Sequence, residues 1–353
     1  MSSISAVTKI DLPHKVSQGK VKAFARELFV ENFPQIDRIL SIFDNTEIIS
    51  RNLCKPLRSY DSDNNFEDNN KEFIHFALDY SIHAIEECLI KANINKLDVT
   101  DLIFVSSTGL ATPSLDALII NKMKMNPHTN RMSIFGLGCA GGVSGMAKAN
   151  AIALSNPKAI VLLVSVELCS LTFLRRDFSK SNFVASSLFS DGIAACIIKG
   201  DAYKAESTIN IIASGSKLYF DSLDVMGWEF LDVGFKVLFS ESIPALIDKN
   251  IKADVVDFLT KNNLVLSDIK NFIFHPGGKK VLTAYTDALK VEGDFLKITR
   301  ETMNDYGNMS STTVLYVLEN FLNNNNFETG YGLMVAMGPG FSSEIVLLDM
   351  QKK

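Results

Sequence analysis

One feature constrains this chain more than any other: it repeats itself. "HAIEECLIKANINKLDVTDLIFVSST" ends near residue 108, and "ADVVDFLTKNNLVLSDIKNFIFHPGG" ends near residue 278. Each reads as an amphipathic helix, a short polar loop, an Asp and then a buried strand. Asp98 falls opposite Asp268, Ile103 opposite Ile273, Phe104 opposite Phe274, and Val105 opposite His275, 170 positions on. The next element repeats as well. "GLGCAGGVSGMAKANAIAL" leads into the strand "AIVLLVSVE", and "DYGNMSSTTVLYVLENFL" leads into "YGLMVAMGPG". Gly138 matches Gly307 and Cys139 matches Asn308, 169 positions apart. In the closing strands, "SDGIAACIIKG" and "SSEIVLLDM", the offset shrinks to 152. The first half therefore carries an insertion, roughly Cys169 to Leu188.

The repeat dictates an α/β chain of two related halves, roughly 70–200 and 242–350. As domains these are 1–240, with an N-terminal extension and the insertion, and 241–353. The strands are near-continuous Val/Ile/Leu runs, the pattern of strands covered on both faces in layered α/β folds. A pseudo-twofold relation brings equivalent loops together at the centre. Cys139 and Asn308 then lie close, and His275 follows the strand that is the twin of the one ending at Val105.

Those three residues have a joint chemistry. A thiol needs help to become the reactive thiolate. A helix N-terminus and a nearby imidazole both supply it. In "IFGLGCAGGVSGMAKA" the glycines at 136, 138, 141 and 142 allow a sharp turn and a close substrate approach. His275, in "FIFHPGG", sits at a strand's C-terminal end, where open α/β sheets gather their sites. Asn308 is no base, but it can hydrogen-bond an oxyanion or enolate oxygen. Cys, His and Asn together point to acyl transfer through a thioester.

Composition narrows the field. Net charge is −5 over 353 residues, which argues against a nucleic-acid partner. No apolar run reaches the ~20 residues of a bilayer span, and the N-terminus lacks the pattern of a secretory signal. The five cysteines are scattered with no CxxC. That speaks against a disulfide framework or a metal site, and for a reducing, cytoplasmic setting.

"GCAGG" around Cys139, "HPGG" after a strand, "YGNMSS" opening a helix and a terminal "GPGFSSE" closely resemble the type III polyketide synthases, the chalcone synthase-like enzymes. The resemblance runs from about Arg51 to the end. It implies a thiolase-like αβαβα fold, a homodimer, and no metal or flavin cofactor. It implies that Cys139 is acylated by a starter acyl-CoA, and that His275 and Asn308 promote decarboxylation of malonyl-CoA. The cycle repeats, and the chain cyclises to a pyrone or a resorcinol/phloroglucinol-type product. A single-condensation β-ketoacyl synthase of the same superfamily is the alternative.

The resemblance extends to the cavity. Phe189 in "SLFSDG" corresponds to a gatekeeper between tunnel and cavity. Val237 stands at the second gatekeeper, with a smaller side chain and so a wider entrance. Thr112, before Pro113, falls where the family reaches into the partner's cavity. Cys169 and Thr172 fall where the plant family has two threonines lining the cavity, and Met337 stands where the family commonly has a phenylalanine. Gly227, beside the single tryptophan Trp228, falls at a position that shapes cavity volume. These departures fit an aliphatic starter or extended acyl chain. Arg38 is the best match for the CoA phosphates, with Arg51 or Lys55 as alternatives, and Gly277 and Gly278 line the pantetheine path.

Overall fold

In the computed structural model, which describes residues 1–31, 36–62, 65–206, 209–323 and 326–352, nine strands form one mixed sheet system. The first half opens with β1 (Ser2–Lys9). An N-terminal excursion follows: β2 (His14–Ser17), α1 (Gln18–Phe29), α2 (Ile36–Asp44) and β3 (Ser50–Leu53). Then come α3 (Phe66–Ala92), β4 (Asp101–Val105), α4 (Leu115–Met123), β5 (Asn130–Ile134), α5 (Gly141–Ser155), β6 (Ile160–Leu168), α6 (Lys180–Leu188) and β7 (Asp191–Lys199). The second half runs β8 (Ile209–Leu218), β9 (Met226–Leu231), β10 (Gly234–Phe239), α7 (Ile243–Lys261), β11 (Ile269–Phe274), α8 (Lys279–Leu289), α9 (Lys297–Tyr306), α10 (Thr313–Asn323), β12 (Gly330–Gly338) and β13 (Ser342–Met350).

The sheet order is β11-β12-β13-β8-β1-β7-β6-β4-β5. Read outward from the β8–β1 contact, the two sides match: β1 with β8, β7 with β13, β6 with β12 and β4 with β11. Both β4–β6 and β11–β12 are parallel, and both β6–β7 and β12–β13 are antiparallel. The 240/241 division leaves β8 and the β9–β10 hairpin with the first half. The sheet instead makes β8 the twin of β1, so by topology the join falls between β7 and β8. The alternation along β8 is too weak to mark it as a core strand.

The five layers follow from the two-residue period of the strands. Ile103, Val105, Val161 and Leu163 point to a central layer with α5 and α10. Their neighbours Leu102, Phe104, Leu162 and Val164 point outward to α3 and α4. In the second half Ile273 and Met334 join the central layer, while Phe272, Phe274, Leu333 and Val335 face α7 and α8. This is a thiolase-like α/β fold. The insertion is a 3-10 turn at Cys169–Thr172 followed by α6; its twin site between β12 and β13 is a short turn. The excursion packs α1 and α2 on α6 through a separate cluster containing Phe29, Phe43, Leu53 and Phe183. No helix among the described residues is long and apolar enough to cross a membrane.

Candidate active site

The repeat works in space as it does in sequence. Cys139 lies in the 3-10 turn Gly138–Ala140 that leads into α5. Asn308 precedes the twin turn Ser310–Thr312 that leads into α10. His275 is the first residue after β11, anchored by its N–H to the Val335 carbonyl (2.8 Å). All three line one small chamber, together with Met226, Phe239, Tyr285, Met337 and Phe341. All three are buried.

The glycines divide their labour. Gly136 and Gly138 have positive φ (85° and 44°) and make the turn. Gly141 and Gly142 serve packing instead of substrate approach. A Cβ on Gly142 would stand 2.2 Å from the Ser311 carbonyl oxygen, and one on Gly141 would stand 2.7 Å from Val105. Their absence of side chains lets the two central turns touch.

Asn308 is held on every side. Its N–H donates to Leu188 O and its carbonyl accepts from Ser190 N–H, both at 2.9 Å. Its side-chain oxygen accepts from Ser310 N–H (2.9 Å), and its amide nitrogen donates to Gly277 O (2.9 Å). Burial pushes the Cys139 thiol up to about 12; the Ser310 and Asn308 side chains hydrogen-bond it and pull the other way, while the Glu167 charge raises it. The expected lowering by the helix end is thus outweighed by desolvation in the unliganded chamber. Burial also drives His275 down to about 3, so its imidazole is neutral at neutral pH. Neither ring nitrogen has a hydrogen-bond partner among the described residues, which leaves one donor and one acceptor for a bound group.

A fourth residue was not singled out by sequence. Glu167, at the end of β6, is fully buried beside the chamber. It accepts from Ser107 N–H (3.0 Å), Thr108 Oγ1 (2.9 Å) and Ser311 Oγ (2.5 Å). Ser107 Oγ in turn accepts from Gly138 N–H (3.0 Å). Glu167 therefore ties the Cys139 turn to the Asn308 turn. Burial lifts its pKa to about 7 against those donors. The signal was there: one acid in the otherwise apolar run "AIVLLVSVEL".

The cavity residues separate into two spaces. Met337 lines the Cys139 chamber. Phe189, Val237, Cys169 and Thr172 line a neighbouring compartment. Phe189 stands edge-on to Phe239 of the chamber, with ring centres 6.4 Å apart. Gly227 lines neither; Trp228 does, paired with Val237 across the β9–β10 hairpin. The pleat puts successive residues on opposite faces, so Trp228 faces the compartment and Gly227 faces away. Thr112 is exposed after β4 and lines neither space.

A groove of about 1260 Å³ meets the chamber at Phe239, Ile243, Gly277 and Val281. Gly277 and Gly278 line it, as expected. Its basic residues are Lys180, Lys279 and Lys280. Arg38 is exposed on α2 and is not among the lining residues, although Ile42 and Asn45 are. Arg51 and Lys55 are buried and lie elsewhere: Arg51 in the compartment, and Lys55 paired with Glu72 (2.5 Å).

Fold and chamber together define a condensing-type acyltransferase on a thiolase-like scaffold. Known proteins narrow this further. Residues 63–202 match the family model for chalcone and stilbene synthases, N-terminal domain, and residues 212–351 match the C-terminal domain. The Bacillus subtilis (strain 168) protein named "Putative chalcone synthase" is 43% identical, covering 96% of both chains. The 1,3,6,8-tetrahydroxynaphthalene synthase of Streptomyces peucetius subsp. caesius is 35% identical over 98% of this chain and 93% of its own length. The crystal structure of 1,3,6,8-tetrahydroxynaphthalene synthase from Streptomyces coelicolor A3(2), a bacterial type III polyketide synthase, superposes with a TM-score of 0.94. It is 27% identical, with 99% and 100% of the two chains covered. The chain belongs to the chalcone and stilbene synthase family: it is a type III polyketide synthase.

Proposed function

We propose that this synthase extends an acyl-CoA starter repeatedly with two-carbon units from malonyl-CoA and then cyclises the chain. The observation that carries the reading is the convergence of Cys139, His275 and Asn308, from both halves, on one chamber. His275 takes the Cys139 proton as the sulfur attacks the starter thioester carbon; the bond to the CoA sulfur breaks, and CoA leaves as its thiol with that proton, which returns His275 to its neutral form. Malonyl-CoA then enters along the groove, with Lys180, Lys279 and Lys280 at its phosphates. Its bond to the carboxylate breaks, carbon dioxide departs, and the electron pair becomes an enolate. Asn308 and a neutral His275 hydrogen-bond the enolate oxygen. The carbanion attacks the acyl-cysteine carbonyl, a carbon–carbon bond forms, and the Cys139 sulfur is released with its electron pair.

The wide junction at Val237 and the apolar compartment beyond it favour an aliphatic starter. We further propose a homodimer joined along β5, the outer strand of the sheet, where Met132 and nearby Phe135 are exposed. The test is incubation with malonyl-CoA and a panel of acyl-CoA starters, read by mass spectrometry. Products with two or more added ketide units support the reading. Products with a single unit replace it with the single-condensation alternative.

A further inference from the structure

The two additions to the repeat meet in one hydrogen-bond chain. Ser170 belongs to the 3-10 turn of the insertion. Tyr60 belongs to a 3-10 turn, Leu57–Asp61, that follows β3 of the N-terminal excursion. Asp191 opens β7 and is fully buried. Its repeat twin, 152 positions on, is Ser343, so the acid stands only in the half that carries the additions. Ser170 Oγ lies 2.5 Å from Asp191 Oδ2 and 2.6 Å from the Tyr60 hydroxyl.

The directions follow from the number of protons. A carboxylate only accepts, so Ser170 Oγ donates to Asp191 and accepts from the Tyr60 O–H. The Tyr60 proton is thus turned toward Ser170, which leaves a phenol lone pair for the compartment that Tyr60 lines. The remaining donors to Asp191 are the N–H groups of Cys54 (2.7 Å) and Ser170 (2.8 Å), both uncharged. Arg51, whose charge senses Asp191, donates to Ser186 O and Phe189 O and makes no hydrogen bond to the carboxylate. The Cys54 sulfur lies 3.6 Å from both hydroxyl oxygens, and burial keeps it a thiol. Burial raises the Asp191 pKa against its donors, and it holds the Tyr60 phenol well above its ordinary value, hence neutral.

Other polar side chains of this wall are closed off locally. Thr172 Oγ1 donates to Cys169 O (2.8 Å), and Asn182 Nδ2 donates to Leu174 O (2.9 Å) and Asp177 O (2.7 Å). Tyr60 and Ser170 lead instead to a buried carboxylate with no cation bonded to it, a costly group to keep. Both also line a second, outer pocket, together with Lys55, Arg175, Arg176 and Lys236. The two hydroxyls therefore stand between the compartment and a polar exit.

We propose that Tyr60, Ser170 and Asp191 form an acid–base relay for ring closure, with Tyr60 as the catalytic residue that touches the extended chain and Ser170 and Asp191 as positioning residues acting through it. The inference rests on the iterative condensation and cyclisation proposed above. A proton leaves the methylene or enol group between two carbonyls of the chain for Tyr60 O. The Tyr60 proton passes to Ser170 Oγ, and the Ser170 proton passes to Asp191. The electron pair left on the chain attacks its own thioester carbonyl, the ring bond forms, and the Cys139 sulfur leaves with its electron pair. The relay then runs backward and delivers its proton to water in the outer pocket.

The test compares wild type, Tyr60→Phe, Ser170→Ala and Ser170→Thr, each with decanoyl-CoA and malonyl-CoA. Mass spectrometry reads two quantities: cyclised product released, and multiply extended chain retained on Cys139 of the intact protein. In Tyr60→Phe and Ser170→Ala the ratio of released to retained chain falls about 100-fold, the scale of general acid–base catalysis. Tyr60→Phe removes one oxygen and keeps the ring, and Ser170→Thr restores the hydroxyl and with it the ratio. Wild-type ratios in Tyr60→Phe and Ser170→Ala overturn the relay and leave the proposed function intact. A fall in Ser170→Thr equal to that in Ser170→Ala also overturns it, because packing and not the hydroxyl then sets the ratio. A wild type that adds a single unit overturns the proposed function and the relay together.

Discussion

Replacing Glu167 by Gln tests the balance of forces inside the site. Three donors favour the carboxylate, yet full burial raises its pKa from 4.5 to about 7. The sign follows from proton counts. Between these two values the folded chain keeps a proton that the unfolded chain has released, so stability falls as pH rises through that window and levels off above it. At ~1.4 kcal/mol per unit of pH, the ionised group costs the fold about 3 kcal/mol in full, most of which develops between pH 5 and pH 8. Gln has the same shape and no charge. Its amide presents an oxygen to Ser107 and Thr108, and the Ser311 hydroxyl can turn to accept from its nitrogen. Relative to wild type, Glu167→Gln therefore gains about 2–3 kcal/mol from pH 5 to pH 8. At ~2.1 cal/mol/K per residue, the difference in Tm between the proteins moves by about 3 °C in favour of the variant. Scanning calorimetry on both proteins at the two pH values measures this, and comparing differences cancels every other titrating group. A gap that stays constant, or that moves in favour of wild type as pH rises, refutes the reasoning: the donors would then hold Glu167 as a carboxylate.

Four further outcomes are expected. Cys139→Ala abolishes condensation but retains malonyl-CoA decarboxylation, measured as carbon dioxide release; normal product from this variant ends its assignment as nucleophile. Asn308→Ala lowers decarboxylation by about 100-fold, on the scale of losing one oxyanion donor, and unchanged release removes Asn308 from that role. Val237→Phe narrows the junction and shifts starter preference toward shorter acyl groups in competition assays; an unchanged profile places the gate elsewhere. Gly142→Ala lowers Tm, because the new methyl group meets the Ser311 carbonyl and Val314, at a cost of about 1–3 kcal/mol; an unaltered Tm shows that the two turns can separate freely.

The repeat was legible because its parts obey local rules. Strands buried on both faces appear as unbroken aliphatic runs, and a twin loop occurs at a fixed offset. That was enough to bring Cys139, His275 and Asn308 together and to predict the layers. What local rules do not hold is environment. The thiol and imidazole are enclosed by residues of the β9–β10 hairpin, α7, α8 and β12, so desolvation, summed over distant elements, overrides the helix end that the sequence displays. The role of Gly142 depends on Ser311, which the chain reaches only 169 residues later. Trp228 was separated from Gly227 only by the phase of a pleat, and β9 has too little polar–apolar alternation to reveal it. The basic residues of the groove come from α6 and α8, elements joined only by folding.

The two halves have diverged in chemistry while remaining locked in geometry. The same turn carries a thiol in one half and an amide in the other, and the position after Phe104 or Phe274 holds Val105 or His275. A nucleophile and an oxyanion donor act on one carbonyl only if their spacing is fixed to within a fraction of an ångström. Two contacts set that spacing here. Gly142 rests on the Ser311 backbone, and Glu167 grips Ser311 from one side and Ser107 and Thr108 from the other. Ser311 therefore receives both, although it belongs to neither the nucleophile nor the amide. The pairing of turns that gives the fold its symmetry is thus the same contact that holds two unlike side chains around one chamber.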